Sequence, residues 1–247
     1  LGLELARWMV ERGARHLVLM GRGEPTAFAQ ERLAAMRAAG ATVVLARADV
    51  AVREQVARVL ADARASMPPL KGIVHAAGVL EDGLLVRQDG ERMARVLAPK
   101  IQGALNLHEE TRGAPLDFFV LFSSVSSVFG TSGQTSYAAA NAFLDALAHQ
   151  RRAQGLTGTT INWGPWAEVG MAARLPAEAT KTWATLGLGL LSPASGLSAL
   201  EGTLRANLTQ VVVAGTAEGG AQGPLAPFFE VLVARRPEAP RAQPAGG

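Results

Sequence analysis

Cysteine is absent from the 247 residues, which excludes disulfides, thiolate nucleophiles and zinc–thiolate sites together. Long apolar runs are lacking too. None approaches the roughly 18 residues a bilayer-spanning helix needs, so nothing points to a membrane partner. Aromatic residues make up only 5% and are not interleaved with basic side chains, which argues against a stacking platform for nucleic acid. Lysine is scarce: Lys71, Lys100 and Lys181 are three of 24 basic residues, and arginine supplies the other 21. The arginines lie scattered among acidic residues, with Arg151-Arg152 and Arg235-Arg236 as the adjacent pairs. The net charge of +3 therefore forms no basic cluster of the kind that tracks a phosphate backbone. Metal-ligand spacing and paired catalytic carboxylates are also missing. What is present is a 49% apolar chain with 18% charged residues, enough to bury a core and too apolar for a disordered chain.

Short β-branched runs alternate with helical patterns. The strand candidates are His16–Met20, Thr42–Ala46, Gly72–His75, Asp117–Phe122, Thr159–Trp163 and Gln210–Val213. Most are continuously apolar, as expected of parallel strands covered on both faces. Helical patterns span 26–39, 51–66, about 89–112 and about 135–155, with Gly40 as a left-handed cap of the first. The alternation predicts an α/β fold, a Rossmann-like doubly wound parallel sheet. Residues 3–12 read as a helix with no strand before it, so the expectation is a fold truncated before its first strand. Residues 1–235 form the expected catalytic domain, and 236–247, rich in Pro, Ala and Gly, a linker. Thr216–Gly223 reads as a loose loop. Residues 166–192, with Trp166, Met171 and Trp183, read as a lid over the site. His108 and His149 fall on presumed helix surfaces, without a catalytic role.

Tyr137 is the only tyrosine. Asn141 follows one helical turn later, on the same face. Upstream, an apolar strand runs into Ser123-Ser124, placing hydroxyls at the carboxyl end of a parallel strand, where open α/β sheets bind ligands. Lys100 lies in the preceding helix. A phenol with an ordinary pKa near 10 gives up its proton readily only beside a cation. A tyrosine, an ammonium and a serine hydroxyl together suit proton delivery to an alkoxide forming on a ketone. Taken singly, each has a plainer reading: the serine pair as a helix cap, the tyrosine as core, Lys100 as a solvated lysine.

The stretch FVLFSS, followed by YAAANAFLDALA, resembles the ketoreductase domain of modular type I polyketide synthases, in the short-chain dehydrogenase/reductase superfamily. The resemblance covers roughly residues 1–235. The superfamily pattern Tyr-x-x-x-Lys is replaced here by Tyr137-x-x-x-Asn141, and the lysine comes from APKIQGALNLHE as Lys100, the exchange typical of those ketoreductases. The resemblance implies Tyr137 as proton donor, Ser124 orienting the carbonyl, and Lys100 and Asn141 supporting the donor and the cofactor ribose. It implies NADPH as cofactor. LGLELARW looks like the close of the glycine-rich turn, with Gly2 as its last glycine. After His16–Met20 comes Gly21-Arg22, where an arginine suits a 2′-phosphate and an acidic residue would suit a free ribose. Asp49-Val50 resembles the adenine-contacting pair, with Asp49 doubling as an N-cap. Ala76, Ala77 and Gly78 of HAAG supply small residues beside the cofactor, and Gly164 and Pro165 of NWGPW pass the nicotinamide.

Stereocontrol is implied by Leu80-Glu81-Asp82, close to the Leu-Asp-Asp motif of B-type members. Phe129 stands where other types carry tryptophan, and Gln134 and Met171 border the substrate. The implied function is reduction of a β-ketoacyl chain on an acyl carrier protein to the D-hydroxy product, among neighbouring synthase domains in the cytoplasm. The alternatives are a redox-inactive scaffold or epimerase domain of a megasynthase, or a free-standing short-chain reductase.

Overall fold

The computed structural model describes residues 1–171 and 183–217. The expected linker 236–247, the centre of the expected lid and residues 218–223 of the expected loop lie outside them. The chain opens on α1 (Gly2–Glu11), followed by β1 (His16–Gly21), α2 (Ala27–Ala38), β2 (Thr42–Arg47), α3 (Arg53–Ser66) and β3 (Gly72–His75). Then come a single 3₁₀ turn (Leu85–Arg87), α4 (Gly90–Thr111), β4 (Phe118–Ser124), α5 (Ser126–Phe129), α6 (Thr135–Ala153) and β5 (Thr159–Trp163). The described chain ends with β6 (Leu188–Gly189), α7 (Pro193–Arg205), β7 (Gln210–Val213) and β8 (Gly215–Thr216). Thr216, expected in a loose loop, pairs instead with Leu188 in a short antiparallel ladder.

The main strands are parallel, as the apolar runs predict, but they form two ladders. One joins β1 to β2 and the other runs β3-β4-β5-β7. Helix α1 ties the two together. Its Leu5 packs with Val120, Phe122 and Ile161 of the larger ladder. Its Ala6 and Val10 pack with Leu17 and Val43 of the smaller one. Strand β4 shows why both faces must be apolar. Phe119 and Leu121 meet Leu144 and Leu147 of α6 on one face, while Val120 and Phe122 meet Leu197 and Leu200 of α7 on the other. The twofold period of the strand dictates that division.

Local signals behave as the residues require. Thr26 caps α2 by accepting from the Ala29 N–H, and Gly40 follows at φ +84°, open to glycine without strain. Asp49 is not the cap of α3, a role that falls to Val52 without a side-chain bond. Its carboxylate instead accepts from the Ala51 N–H at 2.9 Å, an Asx turn at the end of β2. Asp89 caps α4 through the Arg92 N–H at 2.8 Å.

His108 overturns its surface expectation. It is 2% exposed and its Nδ1 lies 2.7 Å from Nη1 of the buried Arg151. Arg151 also stacks over Phe119, its guanidinium carbon 3.8 Å from the ring centroid, and donates to the Thr157 carbonyl. Helix periodicity places His108 near the α4 boundary, but the approach of α6 covers it. His149 is exposed as expected and contacts Gln210.

Candidate active site

Parallel strands β3, β4 and β5 end side by side, and their carboxyl ends open into a cleft lined by Ala76, Leu80, Lys100, Ser124, Gln134, Tyr137, Gly164, Pro165 and Met171, among others. Helix α6 starts over the end of β4, so Tyr137 and Asn141 hang above Ser123-Ser124. Helix α4 brings Lys100 in from below. Five residues drawn from positions 100 to 141 thus meet at one strand end.

Lys100 is 3% exposed, which removes the solvated-lysine reading. Its ammonium donates to the Phe122 carbonyl at 2.8 Å and lies 5.3 Å from the Tyr137 ring centroid. Burial pulls its pKa down to about 7, against a raising influence from the charge of Asp145. Gly78 allows this approach: a Cβ there would sit 3.0 Å from Lys100 Cε. The Tyr137 phenol is pushed up to about 12, first by burial, with the Asp82 charge adding to it. Asn141 and Ser124 work the other way, as hydrogen-bond partners of the phenol. The Asn141 amide also donates to the Tyr137 carbonyl at 2.8 Å, one turn back along α6. Its Oδ1 is buried without a hydrogen-bond partner, which leaves an acceptor's capacity unused. The Ser124 hydroxyl accepts from the Ser126 N–H at 3.2 Å, although the N-cap of α5 is Val125, without a side-chain bond.

Of the residues expected to set the stereochemistry, Leu80, Gln134 and Met171 line the cleft. Glu81 is turned toward α4 and takes two bonds from Arg95, at 2.8 and 3.0 Å. Asp82 accepts from Gln134 Nε2 at 3.0 Å, and the Gly83 N–H bonds the Gly133 carbonyl beside it. These bonds fasten the Leu80–Gly83 segment to the start of α6, two residues ahead of Tyr137. Phe129 ends α5 and does not line the cleft. Met171 reaches toward Gly78, its Cε 3.8 Å from where a Cβ would be.

The residues assigned to a cofactor lie at the same sheet edge but in two groups. Arg22 and Asp49, after β1 and β2, face each other at 3.9 Å, with the Arg22 side chain 67% exposed. Val50 turns into the core, where a Cβ on Gly103 would meet it at 2.7 Å. Gly2 stands exposed in the first turn of α1 with open space around it. Ala76 and Ala77 are exposed after β3. The Gly164 N–H is tied to the Val213 carbonyl at 2.8 Å, and the Pro165 carbonyl accepts from Leu191. Of the described flanks of the expected lid, Trp166 and Leu191 join the core, Trp166 packing on Trp163 with centroids 4.8 Å apart, while Val169, Gly170, Met171 and Trp183 line the cleft. Among the described residues no cluster of acidic and histidine side chains suits a metal ion.

Two features escaped the sequence reading. His75, ending β3, is 3% exposed, lies against Lys100 and is held neutral, its pKa lowered to about 3 by burial. Asp145, two turns beyond Tyr137, is buried among Ser127, Thr160 and Asn162. The signal for Asp145 was the i, i+4, i+8 stripe Tyr137, Asn141, Asp145 on one helix face.

Comparison with known proteins identifies the family. A family model described as KR domain matches residues 1–168. A phenolphthiocerol/phthiocerol polyketide synthase of Mycobacterium tuberculosis is 42% identical over 214 residues, 87% of this chain and 11% of that protein. Polyketide synthase GfsE of Streptomyces halstedii is 47% identical over 193 residues, 78% of this chain and 5% of that one. The chain therefore spans about a tenth or less of the length of these relatives. Among solved structures, a ketoreductase domain from the bacillaene assembly line superposes with a TM-score of 0.83 at 35% identity, covering 88% of this chain and 54% of that one. An A-type ketoreductase from a modular polyketide synthase gives 0.83 at 35%, covering 94% and 50%. The chain belongs to the KR domain family, the ketoreductase domains of polyketide synthases, with their Rossmann-like α/β fold.

Proposed function

We propose that this chain reduces a β-ketoacyl thioester, carried on an acyl carrier protein, to the D-β-hydroxyacyl thioester with NADPH. The observation that carries the reading is the buried ammonium of Lys100, lodged between the Phe122 carbonyl and the Tyr137 ring. A charge so costly to bury is retained where it acts on a neighbour. When bound, the dinucleotide supplies hydride to the ketone carbon. The fit of this chain to it rests on three things: the unused Asn141 Oδ1, the small residues Ala76 and Ala77 at the strand end, and Arg22. The Arg22 guanidinium has one loose ion pair at 3.9 Å, which leaves it donors for a 2′-phosphate. That favours NADPH over NADH.

In this reading the chain's own residues orient the ketone and move one proton. The Ser124 hydroxyl donates to the carbonyl oxygen and holds it near the phenol. As negative charge grows on that oxygen, the Tyr137 O–H transfers its proton to it. The phenolate left behind is stabilised by the Lys100 ammonium and by Asn141 and Ser124. An alkoxide is far more basic than a phenolate, so a phenol raised by burial still protonates it. The B-type outcome rests on Leu80-Glu81-Asp82 and Phe129, with Asp82 and Gln134 linked at the cleft border.

The test follows NADPH and NADH oxidation with a β-ketoacyl thioester surrogate and resolves the alcohol by chiral chromatography. Turnover to the D-alcohol with NADPH, lost in Tyr137→Phe, supports the reading. NADPH binding without turnover on several thioesters overturns it in favour of a redox-inactive domain.

A further inference from the structure

We propose that Arg95 is a positioning residue of this site: through its ion pair with Glu81 it holds segment 80–83 in place and so decides which of the two alcohols forms. The guanidinium meets the carboxylate as a fork, Nε donating to Oε2 at 3.0 Å and Nη2 to Oε1 at 2.8 Å. Arg92, three residues earlier on α4, brings its Nε to 3.3 Å from the same Oε1 and donates through Nη2 to the Asp82 carbonyl at 3.4 Å. Gln88 Nε2 donates to the Gly83 carbonyl at 3.4 Å. On its other side the segment is tied to the approach of α6. Gln134 Nε2 donates to Asp82 Oδ2 at 3.0 Å, and the Gly83 N–H donates to the Gly133 carbonyl at 2.9 Å. The segment therefore bridges α4, which carries Lys100, and the start of α6, which carries Tyr137.

An exposed ion pair between two long side chains is ordinarily worth little. Three features set this one apart: the fork geometry, the second arginine on the same carboxylate, and a Glu81 side chain only 25% exposed. The backbone it holds has little else to fix it. Residues 76–84 belong to no helix or strand, so their course depends on the ties from either side. Glu81 itself does not line the cleft, whereas its neighbour Leu80 does, and so does Gln134. A carboxylate outside the cleft reaches the substrate only through what it holds in position.

The consequence for the product follows from the shape of a ketone. With its oxygen held by the Ser124 and Tyr137 hydroxyls, the ketone can still exchange its two substituents, and the two arrangements lead to opposite alcohols. Leu80 and Gln134 form a wall against which one arrangement fits better. Selectivity is then a difference between two transition states. Displacing the wall changes that difference without touching the groups that deliver the proton. Arg95 keeps the wall in register with Tyr137.

The stereochemical role rests on the reduction proposed above, whereas the tie itself can be measured without substrate. The chain has two Asp-Gly pairs, at 82–83 and 89–90, so the whole chain labelled with ¹³C′-aspartate and ¹⁵N-glycine shows two selected amides. Gly90 is assigned by its loss in Asp89→Asn. Arg95→Met is expected to speed amide exchange at Gly83 about fivefold, Glu81→Gln by about the same factor, and the double variant no further, because each removes the same pair. Arg205→Met, which removes the ion pair to Glu201 on α7, should leave Gly83 unchanged. Unchanged exchange in Arg95→Met, additive effects in the double variant, or an equal rise in Arg205→Met overturns the proposal. With the β-ketoacyl thioester surrogate, Arg95→Met should lower the ratio of major to minor alcohol about fivefold. A ratio within one mixture does not depend on how much folded protein remains, so a merely structural defect would not move it. An unchanged ratio beside a loosened Gly83 also overturns the proposal. Should Arg95→Met fail to fold, Glu81→Gln carries both readouts. A native chain without turnover, in which Arg95→Met still loosens Gly83, refutes the proposed reduction and leaves the tie standing.

Discussion

Replacing Lys100 by methionine should make the chain more stable while removing its activity. The folded chain holds the ammonium 3% exposed and lowers its pKa from 10.5 to about 7. At about 1.4 kcal/mol per pH unit, that displacement costs the fold on the order of 5 kcal/mol at neutral pH and below. Methionine has similar length and no charge, but it leaves the Phe122 carbonyl without its donor, a loss of about 1–3 kcal/mol. The variant should therefore gain about 2 to 4 kcal/mol at pH 6. The sign of the pH dependence follows from proton counting. Between pH 7 and 10.5 the unfolded chain binds the lysine proton and the folded chain does not, so the native protein gains stability as pH rises through that window. The advantage of Lys100→Met should shrink over the same range and vanish near its upper end. Urea denaturation of both proteins at pH 6, 8 and 10 measures it. A variant less stable than the native chain at pH 6, or an advantage that does not change with pH, refutes the reasoning.

Other expectations rest on single contacts. Because Tyr137 is the only tyrosine, ultraviolet titration of the folded chain by rapid pH jump reports one phenol, with a midpoint near about 12 that Asp82→Asn should lower. His108 has its pKa lowered by burial and by Arg151, so the unfolded chain takes up its proton first. Stability should fall as pH drops below about 6.5, and His108→Gln, which keeps an acceptor for Arg151, should reduce that part of the acid sensitivity in urea melts. On α7, Gly196→Ala would drive a Cβ to 2.2 Å from the Trp166 ring and should cost roughly 1–3 kcal/mol. Gly202→Ala on the same helix meets nothing within 4 Å and should instead stabilise by roughly 0.5–1 kcal/mol.

Tyr137, Asn141, Ser124 and Lys100 were legible because their spacing and neighbours carry the family pattern, and the strands were legible because burial on both faces demands continuous apolar runs. The parallel order followed from strand–helix alternation. A residue's state of burial was not legible where it depends on a second element. Lys100 on its own helix resembles a surface lysine, and only the convergence of β3, β4 and α6 takes it out of water. His108 is hidden by α6, about 40 residues away, and Asp49 turned out to close a turn that precedes the helix it was expected to cap.

What the sequence by itself determined is the inventory and its local order: which residues alternate into strands, which helix face holds Tyr137 and Asn141, and which single lysine accompanies them. These are matters of short-range periodicity and residue type. Tertiary structure alone decided the energetics of the site, since desolvation and charge depend on what lies across space. It set a lysine near neutrality and a phenol well above it, and it faced Arg22 toward Asp49. It also joined α5, α6 and β5 at the carboxylate of Asp145, a meeting that no spacing along the chain encodes.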